Sequence, residues 1–484
     1  MKSVFVKCLF VALLTVSCGS PRETADNSLE FDAVSRVDSG SAVNVMLTAY
    51  STTLIADGES ETRLRVAVTD SAGREIRSAD NDIRIYIDGD LSLFPADEDG
   101  IAEQATDTAR IDYLESRLSD GIAWFRLRAG TEPGKGRVEV RSDGLRAGSH
   151  EIHTIPSTVK LMTPSPSQLN PVQKRITPMI GADISFLPQL EENGFKVMEN
   201  GEEKDVMAVL RNNGFNYIRL RIFVDPAHEN GYSPGIGYCG LDQTLDMAKR
   251  VKESGMKLLL NFHYSDYWAD PQQQNKPAAW AGMDFVTLRR TLKEYTVMVL
   301  EELEKQGTPA DMVQIGNEIN HGLLWPDGHI SNPDNLAELL IAGTDGVREV
   351  DPEIPVMMHV ALGGQNSEAV FWFDNMIARG VSFDIMGISY YPRWHGTLED
   401  LKYNLNNLAS RYNKPVNVVE YGDFASQIYN IVFTLPERMG NGASVWEPLG
   451  PGGNFFTDQG EITGNLRIYK DIQNKHVPGR RYTK

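Results

Sequence analysis

"DMVQIGNE", residues 311–318, is an apolar run of strand length that ends in Asn317 and Glu318. Seven similar runs occur in the same half of the chain, and helical patterns such as "LDQTLDMAKRVKESG" (241–255) separate them. The seven are "MIGADISFL" (179–187), "NYIRLRIFV" (216–224), "KLLLNFHY" (257–264), "PVMMHVAL" (355–362), "DIMGISYY" (384–391), "PVNVVEYG" (415–422) and "GASVWEP" (442–448). Near-continuous apolar runs are typical of parallel strands that are buried on both faces.

Eight strand–helix repeats in about 300 residues are what a (β/α)8 TIM barrel requires. We therefore predict an α/β barrel over residues 178–484. A doubly wound open sheet is the alternative, although it would not need the number of repeats to be eight. Since the active site of such a barrel lies at the carboxyl ends of its strands, the polar residues that end these runs are the functional candidates.

Two glutamates end strands at this rim, because Glu318 ends the fourth run and Glu420 ends the seventh. Paired carboxylates in one cleft are the equipment of glycoside hydrolysis, in which one protonates the leaving oxygen and the other attacks the sugar or activates water. An ion pair with Arg219 or Arg221 would explain either glutamate alone, but it is a poor explanation of both. We therefore predict Glu318 and Glu420 as the catalytic residues.

The other strand ends carry aromatic and polar side chains that suit a sugar polymer. Aromatic faces pack against the C–H faces of pyranose rings, and a few polar groups then fix the orientation of the sugar. Trp372 is an exception, because it lies in a helical stretch and is expected in the core. The candidate sugar contacts are Arg219, Arg221, His263, Asp266, Trp268, Tyr390, Tyr391, Trp394, His395 and Trp446.

A metal-dependent hydrolase is a different possibility, since His263, His321 and His359 could approach the same rim. The chain has no HxH or HExxH spacing. Scattered histidines more often orient carboxylates or bind hydroxyls than coordinate zinc. We therefore expect no metal and no other cofactor.

The region before the barrel has a different pattern. Residues 41–157 alternate with period two, as in "RLRVAVTD" and "DIRIYIDG", which predicts a small all-β sandwich. The run "LIADGESETRLRVAVTDSAGREI" (54–76) resembles bacterial immunoglobulin-like modules. Residues 158–177 are proline-rich, which predicts a semi-rigid linker without regular structure.

The first residues, "MKSVFVKCLFVALLTVSCGS", combine two lysines with an apolar run too short to span a bilayer. They indicate an export signal over residues 1–17, similar to that of a bacterial lipoprotein, with lipid on Cys18 and a flexible linker over 18–40. Simple cleavage and a soluble exported protein is the alternative. Cys239 would then be alone in the mature chain, which excludes an intrachain disulfide.

The charge of the chain bears on its partners. Asp and Glu outnumber Lys and Arg by 66 to 47, a net charge of −19. Because an acidic surface repels polyphosphate, we expect no nucleic-acid partner. We expect a monomer that the lipid anchor holds in the bacterial cell envelope.

Several motifs of the barrel resemble those of glycoside hydrolase family 53, the endo-β-1,4-galactanases. They are "GADISFLPQLEENG", "NYIRLRIFVDP", "NFHYSDYWADPQQQNKPAAW", "VQIGNEINHGLLWP", "ISYYPRWHGTL", "VVEYG" and "VWEPLG". The resemblance implies cleavage inside β-1,4-galactan, the side chain of type I arabinogalactan in pectin. It also implies that Glu318 is the acid/base, Glu420 the nucleophile and Asn317 a ligand of the sugar 2-hydroxyl. Many bacterial members carry a calcium-holding loop after strand seven, whereas "EYGDFASQIYNIVF" passes quickly from strand to helix here.

Two other functions compete with a galactanase. Another β-glycanase of the same clan, such as a mannanase, would share the barrel and both glutamates, since a fold does not fix the substrate. A surface glycan-binding protein without activity is the second, although the presence of both glutamates speaks against it. In each case we expect the sandwich to act as a spacer that contributes little to turnover.

Overall fold

A computed structural model describes residues 35–97, 113–169, 174, 176–450 and 453–477. The predicted export signal and Cys18 lie outside these residues. Eight parallel strands form a closed barrel, in the order in which they follow one another along the chain. They are Met179–Asp183, Tyr217–Ile222, Lys257–Phe262, Met312–Ile315, Val356–Val360, Ile385–Tyr390, Val416–Tyr421 and Gly440–Trp446, here called barrel strands one to eight. Each of the eight predicted runs contains or overlaps a barrel strand, so the predicted TIM barrel is confirmed.

Helices surround the barrel, and their apolar faces join the strands in one large buried cluster. The helices are Leu187–Glu192, Val206–Asn212, Leu241–Glu253, Phe285–Gln306, Pro333–Val350, Asn366–Ala378, Pro392–His395, Leu398–Tyr412, Ala425–Phe433 and Gly464–His476. Single 3-10 turns occur at Pro166–Gln168, Ala278–Trp280, Ile319–His321 and Pro436–Arg438, and short hairpins pair Val197–Glu199 with Glu202–Lys204 and Gly322–Leu323 with Gly328–His329. Only residues 422–424 connect barrel strand seven to its helix, which is the short passage expected from the sequence.

Two β-sheets precede the barrel and pack around a second core, so the predicted all-β sandwich is confirmed. One sheet contains Arg36–Val37, Asn44–Ala49, Glu61–Thr69, Glu75–Ile76, Leu91–Ala96 and Ile122–Ala129. The other contains Thr53–Ala56, Asp82–Asp88, Tyr113–Arg117, Gly134–Arg141 and Gly148–Pro156. Alternating side chains of the long strands fill the space between the sheets, as period-two patterns require.

The segment between the two units is not wholly irregular, contrary to expectation. Pro166–Gln168 forms one 3-10 turn, for which a proline at the first helical position is well suited. The side chain of Gln168 donates to the carbonyl of Ile377, and the amide of Met162 donates to the side chain of Asn375. These bonds hold the described part of the segment against the barrel.

Candidate active site

Glu318 lies just beyond barrel strand four in a left-handed backbone conformation, with φ 51° and ψ 51°. Residues other than glycine rarely adopt this conformation, and where they do the surrounding structure must hold them there. The hydroxyl of Ser389, on barrel strand six, donates a 2.6 Å hydrogen bond to Oε1 of Glu318. The residue as a whole is of intermediate burial, and it lines the cavities at the mouth of the barrel.

Glu420, on barrel strand seven, lines the same two cavities as Glu318. Its Oε2 accepts a 3.0 Å hydrogen bond from Arg219, and its Oε1 accepts a 2.9 Å bond from the hydroxyl of Tyr391. Carboxylate oxygens of Glu318 and Glu420 lie within 4.8 Å of each other. The two residues are therefore a close pair at the carboxyl ends of their strands.

The environments of the two carboxyl groups differ. Burial raises the pKa of Glu318 well above its usual range, and the negative charge of Glu420 raises it further. Burial also raises the pKa of Glu420, but Arg219 and the Tyr391 hydroxyl favour its charged form. Only Glu420 has a cation at hydrogen-bond distance, so the surroundings favour the charged form of Glu420 more than that of Glu318.

A buried polar network supports the pair from below. Arg219 donates to Asp183 at 2.9 Å and to the side-chain oxygen of Asn317 at 2.8 Å, in addition to Glu420. Asn317 in turn donates to the carbonyl of Ala269. These bonds fix the orientations of Arg219 and Asn317, so the groups that face the cleft are preorganised.

His359 orients the acid through Ser389. Because the hydroxyl hydrogen of Ser389 is used in the bond to Glu318, the Ser389 oxygen accepts the 2.7 Å hydrogen bond from Nε2 of His359. Nδ1 of the ring is then an acceptor and takes a bond from Gln314 at 3.0 Å. Burial lowers the pKa of His359 well below its usual range, and Arg219 lowers it further, so the ring is neutral.

Two cavities meet at the glutamate pair, and Glu318, Glu420 and Asp270 line both. The smaller, of about 180 Å³, also contains Arg219, Arg221, His263, Trp268, Asn317 and Trp446. The larger, of about 290 Å³, extends over the ends of barrel strands four to six and contains Tyr391, Trp394 and His395. Eight of the ten residues that the strand ends predicted as sugar contacts line one of these two cavities, whereas Asp266 and Tyr390 line neither.

The larger cavity also has a wall from the sandwich, made by Thr52, Ser149, His150 and Glu151. Thr52 donates through its amide and hydroxyl to the buried carboxylate of Glu368, which belongs to the barrel. The sandwich therefore borders the cleft, a position that the spacer prediction did not include. Period-two patterns predict strands, but they carry no information on where a sheet docks.

A metal does not fit the pair. Within the described residues, the only cluster of potential ligands is Glu318, His359 and Glu420. Both ring nitrogens of His359 are engaged by Ser389 and Gln314. The positively charged guanidinium of Arg219 already donates a hydrogen bond to the carboxylate of Glu420. These atoms are committed to the hydrogen-bond network described above.

Residues 179–448, more than half of the chain, match the model of glycosyl hydrolase family 53. The chain belongs to glycosyl hydrolase family 53. It is therefore a glycoside hydrolase, and the resemblance seen in the strand-end motifs is confirmed. Residues 45–151 match the model of glycoside hydrolase family 2 C-terminal domain 5, which agrees with an accessory sandwich.

Individual relatives agree with this assignment. An uncharacterized protein of Niallia circulans is 44% identical over 251 residues, which are 50% of this chain and 66% of that protein. The arabinogalactan endo-beta-1,4-galactanase of Humicola insolens is 37% identical over 336 residues, which are 60% of this chain and 98% of the relative. The solved family 53 catalytic domain of Ignisphaera aggregans has 32% identity and a TM-score of 0.57, and the match covers 63% of this chain and 98% of that domain.

Two of the predicted sugar contacts of this family 53 enzyme need correction. Tyr390 is 1% exposed, and its hydroxyl donates to the carbonyl of Gly396, so it packs within the protein and Tyr391 alone of the two tyrosines faces the pair. Asp266 is 7% exposed and accepts hydrogen bonds from the amides of Asp225 and Ala278, so its carboxylate connects two loops. Adjacent strand-end residues point in opposite directions, and the sequence does not say which one faces the cleft.

Sequence reasoning also missed residues of the site. Asp183 and Glu447 end barrel strands one and eight, and both contact Arg221, at 3.4 and 2.7 Å. Burial raises the pKa of Glu447 to about 8, although Arg221 opposes the shift. The strand-end rule that selected Glu318 would have selected these two carboxylates and Ser389 if it had been applied to every strand.

Proposed function

We propose that this family 53 enzyme is a retaining endo-β-1,4-galactanase that cleaves the galactan chains of type I arabinogalactan. The close pairing of Glu318 with Glu420, at the rim of the barrel, carries the proposal. Retaining glycosidases hold their two carboxyl groups about 5 to 5.5 Å apart, whereas inverting enzymes need a wider gap that admits a water molecule. The similarity to the arabinogalactan endo-beta-1,4-galactanase of Humicola insolens supports the choice of substrate.

In the first step, Glu420 attacks the anomeric carbon while Glu318 donates its proton to the leaving oxygen. The C–O bond to the leaving sugar breaks as the bond to the Glu420 oxygen forms. Burial and the neighbouring carboxylate keep Glu318 protonated for this step, and Arg219 and Tyr391 hold Glu420 ionised and in line. Asn317 is oriented by Arg219 to bind the 2-hydroxyl of the attacked sugar.

In the second step, water replaces the leaving sugar and Glu318 acts as the base. Once Glu420 is bonded to the sugar it carries no charge, so the pKa of Glu318 falls and the carboxylate can accept a proton from water. The hydroxide attacks the anomeric carbon and releases Glu420. Two inversions leave the product with the β configuration of the substrate.

Release of reducing ends from potato galactan, compared with mannan, xylan and cellulose, tests the substrate. Following the anomeric proton by NMR during hydrolysis tests the stereochemistry, and we expect the β product first. Early appearance of the α product would mean inversion and would refute Glu420 as the nucleophile. Release from mannan but not from galactan would favour another β-glycanase, and release from none would favour a glycan-binding protein.

We also propose that Cys18 carries lipid and anchors a monomeric enzyme in the bacterial cell envelope. The proposal rests on the basic and apolar pattern of residues 1–18. No helix among the described residues is long and apolar enough to span a bilayer. Labelling of the wild-type protein, but not of Cys18→Ala, with an alkyne-tagged fatty acid would support this proposal, and equal labelling of both would refute it.

A further inference from the structure

The sandwich is fixed to the barrel beside the active site by buried polar contacts. The carboxylate of Glu368, which is 2% exposed, accepts from the amide of Thr52 at 2.6 Å and from the hydroxyl of Thr53 at 2.7 Å. Although burial opposes its ionisation, the nearby His321 ring and the hydrogen bonds from Thr52 and Thr53 lower the pKa of Glu368. Because a buried carboxylate is costly without partners, these contacts specify how the sandwich docks.

A second set of contacts is made by histidines. The ring of His153, in the last sandwich strand, stacks on His321 with 3.8 Å between the ring centroids. Its Nδ1 also lies 2.9 Å from Nε2 of His329. His321 is only three residues beyond Glu318, so the sandwich contacts the loop that carries the proposed acid/base.

The same sandwich strand presents Glu151 to the larger cavity. Oε1 of Glu151 accepts a 2.7 Å hydrogen bond from Lys135 and lies 2.8 Å from Nε2 of His153. Although burial opposes the charge, these two partners lower the pKa of Glu151 to about 2. Among the described contacts both partners use Oε1, and the side chain is 30% exposed, so Oε2 can accept from a ligand hydroxyl.

His150, beside Glu151, also lines the cavity. Its Nε2 donates to the carbonyl of Leu47 at 3.0 Å, which assigns the proton to that nitrogen and makes Nδ1 an acceptor. Burial lowers the pKa of His150 to about 4, so the ring is neutral near neutral pH. Trp394, which is 39% exposed, lines the same cavity from the barrel. Hydrogen-bond acceptors together with an exposed aromatic ring are typical of a sugar subsite.

The position of this cavity relative to the catalytic pair tells which part of the substrate it would hold. Asn317, the proposed ligand of the attacked sugar, lines the smaller cavity and is absent from the larger. The two cavities meet at Glu318, whose proton goes to the oxygen between the attacked sugar and the leaving chain. The attacked sugar thus belongs in the smaller cavity and the leaving chain in the larger.

We propose that the sandwich forms one wall of the leaving-chain side of the cleft, where Glu151 and His150 accept hydrogen bonds from galactan hydroxyls. This inference rests on the proposed function, because it takes Glu318 as the acid and galactan as the substrate. It gives the accessory unit a direct part in substrate binding.

The test compares Glu151→Ala and His150→Ala with wild type on two substrates. Galactohexaose has a leaving chain that can reach the sandwich, whereas 4-nitrophenyl β-1,4-galactobioside has only an aryl leaving group. We expect kcat/KM on galactohexaose to fall at least about tenfold for Glu151→Ala, since a hydrogen bond to a charged group is lost. We expect kcat/KM on the aryl substrate to stay within about twofold.

Glu139→Ala is the matched control, because Glu139 is an ion-paired carboxylate on the neighbouring strand and does not line either cavity. Equal losses on both substrates would mean that the sandwich residues act only through the fold, and unchanged kcat/KM on both would mean that they do not touch substrate. Either result would overturn the inference. A wild-type enzyme that cleaves another β-glycan instead would refute the galactan assignment, and the same comparison on oligosaccharides of that glycan would still decide the role of the wall.

Discussion

Ser389 offers a sharp test of the assignment of Glu318 as the acid. Its hydroxyl donates to Oε1 of Glu318 at 2.6 Å, and this bond favours the ionised carboxylate and so lowers its pKa. In Ser389→Ala the bond is lost, and the pKa of Glu318 should rise further. Since activity at high pH ends when the general acid loses its proton, the basic limb of the pH profile should move to higher pH.

The size of the shift follows from the one bond that is removed. A hydrogen bond to a charged group contributes about 1.5 to 3 kcal/mol and one to a neutral group about 1 kcal/mol. The difference between the two protonation states is then roughly 1 to 2 kcal/mol, and about 1.4 kcal/mol corresponds to one pKa unit. We expect the basic limb of kcat/KM to move upward by about one unit, with kcat reduced because His359 loses its acceptor.

The assay is the pH dependence of kcat/KM on galacto-oligosaccharides, whose leaving group needs a proton. Ser444→Ala is the control, because Ser444 is also a fully buried serine of a barrel strand but makes no hydrogen bond to either glutamate. A basic limb that stays in place or moves to lower pH would refute the reasoning. If the acidic limb moved instead, the roles of Glu318 and Glu420 would be reversed.

The other predictions concern the nucleophile, the acid, the metal and the interface. Glu420→Ala should abolish turnover, whereas Glu318→Ala should retain turnover of activated aryl galactosides and be accelerated by azide; an azide-insensitive Glu318→Ala would contradict its role. EDTA should leave activity and melting temperature nearly unchanged, and a loss restored by calcium would reveal a metal site. Burial lowers the pKa of His153 to about 3, so the unfolded chain binds more protons than the folded one below pH about 6.5. The free energy of unfolding should therefore fall from pH 6.5 toward pH 4. Denaturant titrations of His153→Gln should show a smaller fall over the same pH range; an equal fall would exclude His153 as a cause. Glu368→Ala should destabilise the protein by about 3 kcal/mol, because its sandwich partners would be left unpaired, while Glu338→Ala at an exposed ion pair should cost less than about 1 kcal/mol in the same titrations.

The barrel was predictable because each of its strands is buried on both faces and therefore reads as an apolar run. The same logic identified Glu318 and Glu420, since a carboxylate at the end of such a run has a position that the fold determines. It could not choose between Tyr390 and Tyr391, because the direction of a side chain after the last strand residue depends on the local backbone. Only the folded structure shows the hydrogen bond from Tyr391 to Glu420, which identifies Tyr391 as the tyrosine that faces the cleft.

The docking of the sandwich was not predictable for a different reason. Its contacts come from side chains such as Thr52, His153 and Glu368, which are far apart in the sequence and unremarkable in composition. From the sequence alone, Glu368 would be assigned to the solvent-exposed face of an amphipathic helix, because its buried partners are remote in the sequence. Interfaces of this polar kind leave little trace in hydrophobic periodicity.

These contacts also explain how Glu318 keeps a strained backbone. The 3-10 turn that follows it is held on one side by the barrel, where the indole of Trp372 donates to the carbonyl of Ile319. On the other side, Nδ1 of His321 donates to the carbonyl of Pro271, and the ring stacks on His153 of the sandwich. A left-handed residue costs about 1 kcal/mol or more and persists only where its surroundings hold it. The sandwich is one of those surroundings, so the position of the acid and the wall of the cleft both depend on the same docked interface.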